Sequence, residues 1–263
     1  MPALELLTGN VTGVGATLTG LTMAGSDNLT IRASGTARNV RLLNLWALNN
    51  TAGIARVRSP RMHDVNQGVR ARVPINDPGL RLPFAWGQPL YVQDTLIAEL
   101  SGCTSSTGIE TMSLLLYYDD VPGSSAQFID SATLKARGVN CMSVETAHVA
   151  GTAGGYSGSV AINSSMDNGK NNKLYALVGY DLDVRCASIG WRGIDTGNLR
   201  VGGPGLITPP HFTTSWFARL SDAYGLPLIP VFNWANKGSI NVDVAQSQAG
   251  TAVTATSHLV ELA

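Results

Sequence analysis

The chain has 263 residues, 18 basic and 18 acidic side chains and no formal net charge; only 14% of residues are charged, and 29 are Gly. These values exclude a coiled coil, a charge-rich disordered tail and a protein held to nucleic acid by bulk charge. No stretch approaches the roughly 18 unbroken apolar residues of a membrane-spanning helix, and the start, MPALELLTGN, lacks the basic opening and long apolar core of a cleaved signal peptide.

In chain order, the predicted strands are short apolar runs ended by Gly, Asn, Asp, Ser or Pro. They cover 28–33, 40–48, 54–58, 90–93, 96–100 and 112–118, then 160–163, 174–180, 184–191, 198–201, 228–232, 240–244 and 258–262. Clusters such as Asn49-Asn50-Thr51-Ala52-Gly53 and Asp195-Thr196-Gly197-Asn198 supply the positive φ of tight turns. Many short strands about ten residues apart point to a sandwich or barrel and not to βαβ units. Helix signals are few. Phe212, Trp216, Phe217, Leu220 and Tyr224 share one helical face, Thr213 or Thr214 can cap it, and Gly225 ends it. Gln127–Arg137 is a weaker second helix.

The chain also matches itself. A shift of 144 residues sets Asn28–Asp119 against Asn172–Ala263 without a gap. It pairs Val40-Arg41 with Val184-Arg185, Arg56-Val57 with Arg200-Val201, and Leu96-Ile97-Ala98-Glu99-Leu100 with Ile240-Asn241-Val242-Asp243-Val244. Apolar character recurs at alternate positions, as a half-buried strand requires. Trp46 and Trp191 miss each other by one residue, so either a bulge intervenes or the two are not equivalent. The repeat implies two β domains, 1–122 and 144–263, joined by 123–143 as a linker with a short helix. A domain of about 120 residues with about eight short strands fits two four-stranded sheets in the jelly-roll layout. The expected fold is all-β: two tandem eight-stranded jelly-roll sandwiches with one or two short helices.

No catalytic, metal or cofactor motif is announced. There is no H-E-x-x-H and no phosphate-binding G-x-x-x-x-G-K-[ST]. Gly154-Gly155-Tyr156-Ser157-Gly158 lacks the glycine spacing of a nucleophile elbow and reads as a glycine-rich loop. His63, His148, His211 and His258 are scattered, and Cys103, Cys141 and Cys186 form no C-x-x-C pair. Asp181-Leu182-Asp183 puts two carboxylates on one strand face, which could bind calcium or simply form a polar surface. Arg56, Arg58, Arg61, Arg70 and Arg72, with Arg81, form a basic stretch whose only acids are Asp64 and Asp77. They read as an anion patch for phosphate or lipid headgroups, or as arginines that bridge subunits. The excess of 14 Arg over 4 Lys suits the second use better. Trp46, Trp86, Trp191, Trp216 and Trp234 read as core or interface anchors, although an exposed set including Trp86 and Trp234 would make a sugar-stacking platform.

Two similar β domains in tandem, a helix late in the second, Gly/Ser/Thr/Asn richness and no catalytic set give an architecture that resembles the double-jelly-roll major capsid proteins of tailless icosahedral viruses, especially bacterial viruses with an internal membrane. The resemblance implies a homotrimer whose six jelly rolls form a pseudo-hexagonal tile of an icosahedral shell. It implies a non-enzymatic structural protein without cofactors, resident in the virion and assembled in the host cytoplasm. Its partners would be itself, neighbouring tiles, penton or minor capsid proteins and an internal membrane. The first basic residue is Arg32, so the sequence offers no basic arm for direct, sequence-specific nucleic-acid binding. The rival readings are a tandem β-sandwich module for carbohydrate binding or phage adhesion, and a β-sandwich enzyme built on a convergent cluster that no motif reveals.

Overall fold

Residue alternation decides which faces the strands bury. In the computed structural model the described residues are 1–13, 15–25, 27–32, 40–48, 52–62, 65–73, 87–102, 110–149, 154–162, 172–182, 186–205, 213–246, 250 and 252–263. Val69–Val73 (β6) reads VRARV: Val69, Ala71 and Val73 are buried, and Arg70 and Arg72 face solvent. Glu110–Tyr118 (β9) is instead buried at every position. A strand does this when both faces of its sheet are covered.

The other strands of the first half are β1 (Ala3–Val11), β2 (Thr19–Gly20), β3 (Thr22–Met23), β4 (Val40–Leu48), β5 (Gly53–Arg58), β7 (Gln88–Leu90) and β8 (Ile97–Leu100). Those of the second are β10 (Phe128–Ile129), β11 (Gly138–Val149), β12 (Val160–Ala161), β13 (Leu174–Leu182), β14 (Ser188–Arg192), β15 (Val201–Pro204), β16 (Ile229–Asn233), β17 (Asn241–Ala245) and β18 (Ala252–Leu262). Among the described residues there are also two α-helices, α1 (Ser131–Arg137) and α2 (Trp216–Tyr224), and short 3-10 turns. Trp216, Phe217 and Leu220 bury the apolar face of α2, and Gly225 ends it in the left-handed conformation, φ 63°. No helix among the described residues is long and apolar enough to cross a membrane.

Among the described residues the strands form four antiparallel sheets, in the orders β3-β1-β9-β4-β7, β2-β8-β5-β6, β10-β16-β13-β18-β11 and β12-β17-β14-β15. The first two enclose a core that includes Leu7, Leu42, Leu45, Val57, Leu100 and Leu114. The second two enclose Tyr175, Tyr180, Trp191, Phe232, Val242 and Leu259. The chain is all-β and built as two sandwiches.

Both sandwiches follow one plan. With β3 and β10 set aside, and the remaining strands counted from one to eight in each half, the larger sheets run 1-8-3-6 and the smaller ones 2-7-4-5. Even the bulges coincide. β4 slips against β9 between Leu42 and Asn44, and β13 slips against β18 between Leu177 and Gly179.

This correspondence corrects the ungapped self-match. β8 and β9 do face β17 and β18, but β4 answers to β13, so Val40-Arg41 is not the counterpart of Val184-Arg185. Likewise β5 answers to β14, which pairs Arg56 with Gly190 and not with Arg200. The second half carries α2 between β15 and β16, and that insertion means one offset cannot serve both ends of the repeat. Trp46 on β4 and Trp191 on β14 are therefore not equivalent. The stretch 123–143, expected as a linker, already belongs to the second sandwich: β10 pairs with β16, and β11 starts at Gly138. Asp130 caps α1 by accepting from the Thr133 N–H at 2.7 Å, which holds its carboxyl below the usual range.

The sandwiches share a core. The larger sheet of the first packs its second face, carrying Leu4, Leu6, Leu43, Trp46, Leu115 and Tyr117, against the second, and these side chains join its apolar cluster. The Leu6 N–H donates to the Arg200 carbonyl at 2.6 Å, and Trp46 Nε1 donates to the Ala187 carbonyl at 3.1 Å. The Trp46 ring meets Trp216 edge to face, and the Tyr224 hydroxyl donates to the Leu43 carbonyl. A Cβ on Gly202 would sit 2.5 Å from Leu6 Cδ2, so this close approach requires glycine there.

Candidate functional site

Four of the five arginines singled out by sequence stand on the outer face of the sheet β2-β8-β5-β6. Arg56 and Arg58 alternate outward on β5, with Arg70 and Arg72 outward on β6. Cross-strand register puts Arg56 opposite both Arg70 and Glu99. Two like charges side by side would repel, and Glu99 resolves this. Its carboxylate accepts from Arg56 Nε at 2.6 Å and from Arg58 Nε at 3.0 Å. Burial opposes the Glu99 charge, but the two guanidiniums outweigh it and hold the carboxyl below its usual range. Arg70 donates from Nε to the Gln67 carbonyl and remains exposed, as does Arg72. Arg61 lies apart: it donates to the Val92 carbonyl at 3.3 Å and stacks over Tyr91, 4.8 Å from the ring centre. Arg81, Asp64 and Asp77 lie outside the described residues.

A second charged cluster, absent from the sequence reading, closes the junction between the sandwiches. Arg200 donates from Nη1 to Asp27 at 2.5 Å and from Nε to Asp243 at 3.1 Å. Its guanidinium lies over the Tyr156 ring, 3.6 Å from the centre. Asp27 also accepts from the Thr8 N–H at 2.8 Å and the Tyr156 hydroxyl at 2.9 Å, and Asp243 accepts from Ser159 at 2.7 Å. Burial opposes the Arg200 charge, but Tyr156, Asp27 and Asp243 outweigh it and keep the guanidinium protonated. Each charge is buried and partnered, the arrangement of a structural clamp. One signal was available: the self-match already set Asp243 against Glu99.

Two histidine arrays invite a chemical reading. His148, 2% exposed, lies between Thr146 at 2.8 Å and Ser157 at 3.2 Å. Burial lowers its basicity, with the Asp243 charge opposing in part. On the outer face of the larger second sheet, His258 accepts or donates to Ser143 through Nδ1 at 2.9 Å and to Asp181 through Nε2 at 2.8 Å. In a serine hydrolase the serine lies on Nε2 and the carboxylate on Nδ1, so this ring is turned the other way. Asp181 is also within 3.4 Å of the Thr213 hydroxyl. Its partner in the expected calcium pair, Asp183, lies outside the described residues, and no cluster of three His, Cys, Asp or Glu that could hold a metal occurs among the described residues. His63, His211 and Cys103 are likewise outside them.

The four described tryptophans are interior. Trp46, Trp191, Trp216 and Trp234 are all buried, and Trp234 packs edge-on against Tyr175. None of these four offers a ring face to a sugar; Trp86 lies outside the described residues. A cleft of about 240 Å³ beside β10 and β16 is lined by apolar side chains such as Phe128, Ile129 and Val231, with Arg137 as its one ionisable side chain. Arg137 donates to the Ala263 carbonyl at 2.7 Å.

No protein-family model matches the chain, and no curated protein matches it significantly. Among solved structures, the chain is similar to the PBSX exported protein XepA at 10% identity and a TM-score of 0.27, with 97% of this chain and 86% of that one covered. It is also similar to a chain in the atomic structure of Sulfolobus Turreted Icosahedral Virus, at 9% identity and a TM-score of 0.22, covering 100% of this chain and 80% of that one.

Proposed function

We propose that this chain is a structural coat subunit of an icosahedral viral shell. In this reading each sandwich is a jelly roll. Three chains associate so that six sandwiches make one pseudo-hexagonal unit, and such units meet one another, penton or minor proteins and, in a membrane-containing virion, the lipid beneath. The observation that carries it is the strand order. Two sheets running 1-8-3-6 and 2-7-4-5 are what an eight-stranded jelly roll gives, and the order is found twice. The shared core supports the reading as well, because it makes the two lobes one rigid building block. Zero net charge lowers the repulsion between many packed copies.

Light scattering on the purified full-length chain tests this directly. The expected result is a particle of three chains, with six lobes visible by negative-stain microscopy. A monodisperse single chain at micromolar concentration overturns it.

A further inference from the structure

The outer face of the larger second sheet joins three side chains from three strands. Ser143 on β11 and His258 on β18 are direct cross-strand partners, and Asp181 on β13 lies diagonally beyond. Ser143 Oγ is 2.9 Å from His258 Nδ1, and His258 Nε2 is 2.8 Å from Asp181 Oδ2. A carboxylate only accepts, so Nε2 carries the proton, and neutral His258 turns a bare Nδ1 toward the Ser143 hydroxyl. The second Asp181 oxygen accepts from the Thr213 hydroxyl at 3.4 Å. Gly179, opposite His258, lets that segment come close: a Cβ there would lie 2.3 Å from the Thr213 carbonyl oxygen. Asp181 is thus held from two sides, while Ser143 is exposed.

Acyl transfer through serine needs a hydroxyl, a lone pair facing it and an N–H held by a carboxylate. The ring is turned relative to the serine hydrolases, but either imidazole nitrogen accepts a proton while the other keeps its N–H on the acid. A donor for the developing oxyanion is at hand as well. The Ala263 N–H donates to the Arg137 carbonyl, so β18 turns the main chain of Ala263 toward the β11 side. Main-chain groups alternate sides along a strand. Leu259 and Ser257 therefore bond to their partners Met142 and Val144, and the Ser143 N–H between them points to the outer edge of β11. No strand flanks that edge among the described residues. A nucleophilic serine's own N–H is one of the donors that an oxyanion hole uses.

We infer that Ser143 is a nucleophile that takes the acyl group of an uncharged ester, with His258 as its base and Asp181 as the positioning residue. Ser143 Oγ bonds to the acyl carbon as its proton passes to Nδ1, and the carbonyl oxygen becomes an oxyanion facing the Ser143 N–H. Collapse breaks the bond to the leaving alcohol, which takes the proton from Nδ1. Water repeats the two steps, releases the carboxylic acid and restores the serine. Glu145, next outward on β11, and Asp181 give the face a negative sign that disfavours anionic esters. This activity is separate from shell building.

The test treats the full-length folded protein with an alkyl fluorophosphonate, whose phosphorus bonds to an activated serine oxygen as fluoride leaves. Mass spectrometry then locates the modified residue. Label is expected on Ser143 in the folded chain and not in the chain unfolded in urea. His258→Gln should slow labelling by about 100-fold and Asp181→Asn by at least about ten-fold, with circular dichroism unchanged in both. Hydrolysis of p-nitrophenyl butyrate should fall in parallel and vanish in Ser143→Ala. A folded chain that takes no label on Ser143 overturns the inference, and so does labelling that is as fast in His258→Gln or in the unfolded chain. Either result leaves the coat-subunit reading intact.

Discussion

Glu99 and Asp243 occupy the same position in the two sandwiches: each faces outward from the seventh strand, and each accepts from an arginine Nε, Arg56 for Glu99 and Arg200 for Asp243. Their surroundings differ. Glu99 looks onto the open basic face, and Asp243, 1% exposed, lies under the first sandwich. Arg200→Met leaves Asp27 and Asp243 charged and buried with no cation between them, and is expected to cost about 3–5 kcal/mol. Arg56→Met leaves Arg58 on Glu99 and is expected to cost about 1–2 kcal/mol. Urea unfolding of the two variants checks the ranking.

Trp46 joins the sandwiches by shape and by its hydrogen bond to Ala187. Trp46→Ala opens a cavity in the shared core and is expected to cost about 3–5 kcal/mol. Because the cavity lies at the junction, the single calorimetric transition expected of the intact chain should separate into two.

Gly202 tests the closeness of that junction. A Cβ there would lie 2.1 Å from the Ile189 carbonyl oxygen, a backbone atom with no room to retreat. Gly202→Ala is expected to cost about 3 kcal/mol. Gly20→Ala, where nothing lies within 4 Å, should stay within about 0.5 kcal/mol. Thermal melts of both variants decide this.

His148 makes stability fall on acidification. Its folded basicity is lowered beneath the ordinary value of 6.5, so the unfolded chain takes up the proton first as pH drops. The stabilisation is present above pH 6.5 and is lost as pH falls below it toward the lowered folded value. His148→Gln should flatten this slope in urea midpoints measured on either side of pH 6.5. Glu99, also lowered, acts further down: its contribution is present above pH 4.5 and fades beneath it, and Glu99→Gln should remove that part.

The fold was legible where burial is one-sided or total. Val40–Leu48 coincides with β4, and the helix ending at Gly225 is α2. β11 went unread because an edge strand with one wet face shows as GVNCMSVETAHV, with no apolar run. β1 at the chain start is not among the predicted strands, although ALELLTGNV is buried almost throughout. Asn28–Ala33 has the composition of a strand, but Thr30 makes only an isolated bridge to Thr95. Of the charged residues, the basic face was visible as a run of arginines. The Arg200 clamp was not, since Asp27, Tyr156, Arg200 and Asp243 come together only through the tertiary fold.

β9, at the centre of its sheet, has no wet side. The protein is therefore stacked as slab on slab and is not a pair of beads on a string, and neither lobe owns a complete exterior. Expressed alone, the first would present an oily plane bearing Leu6, Trp46 and Leu115 to water. The gene cannot be trimmed to a single lobe without producing something that clumps.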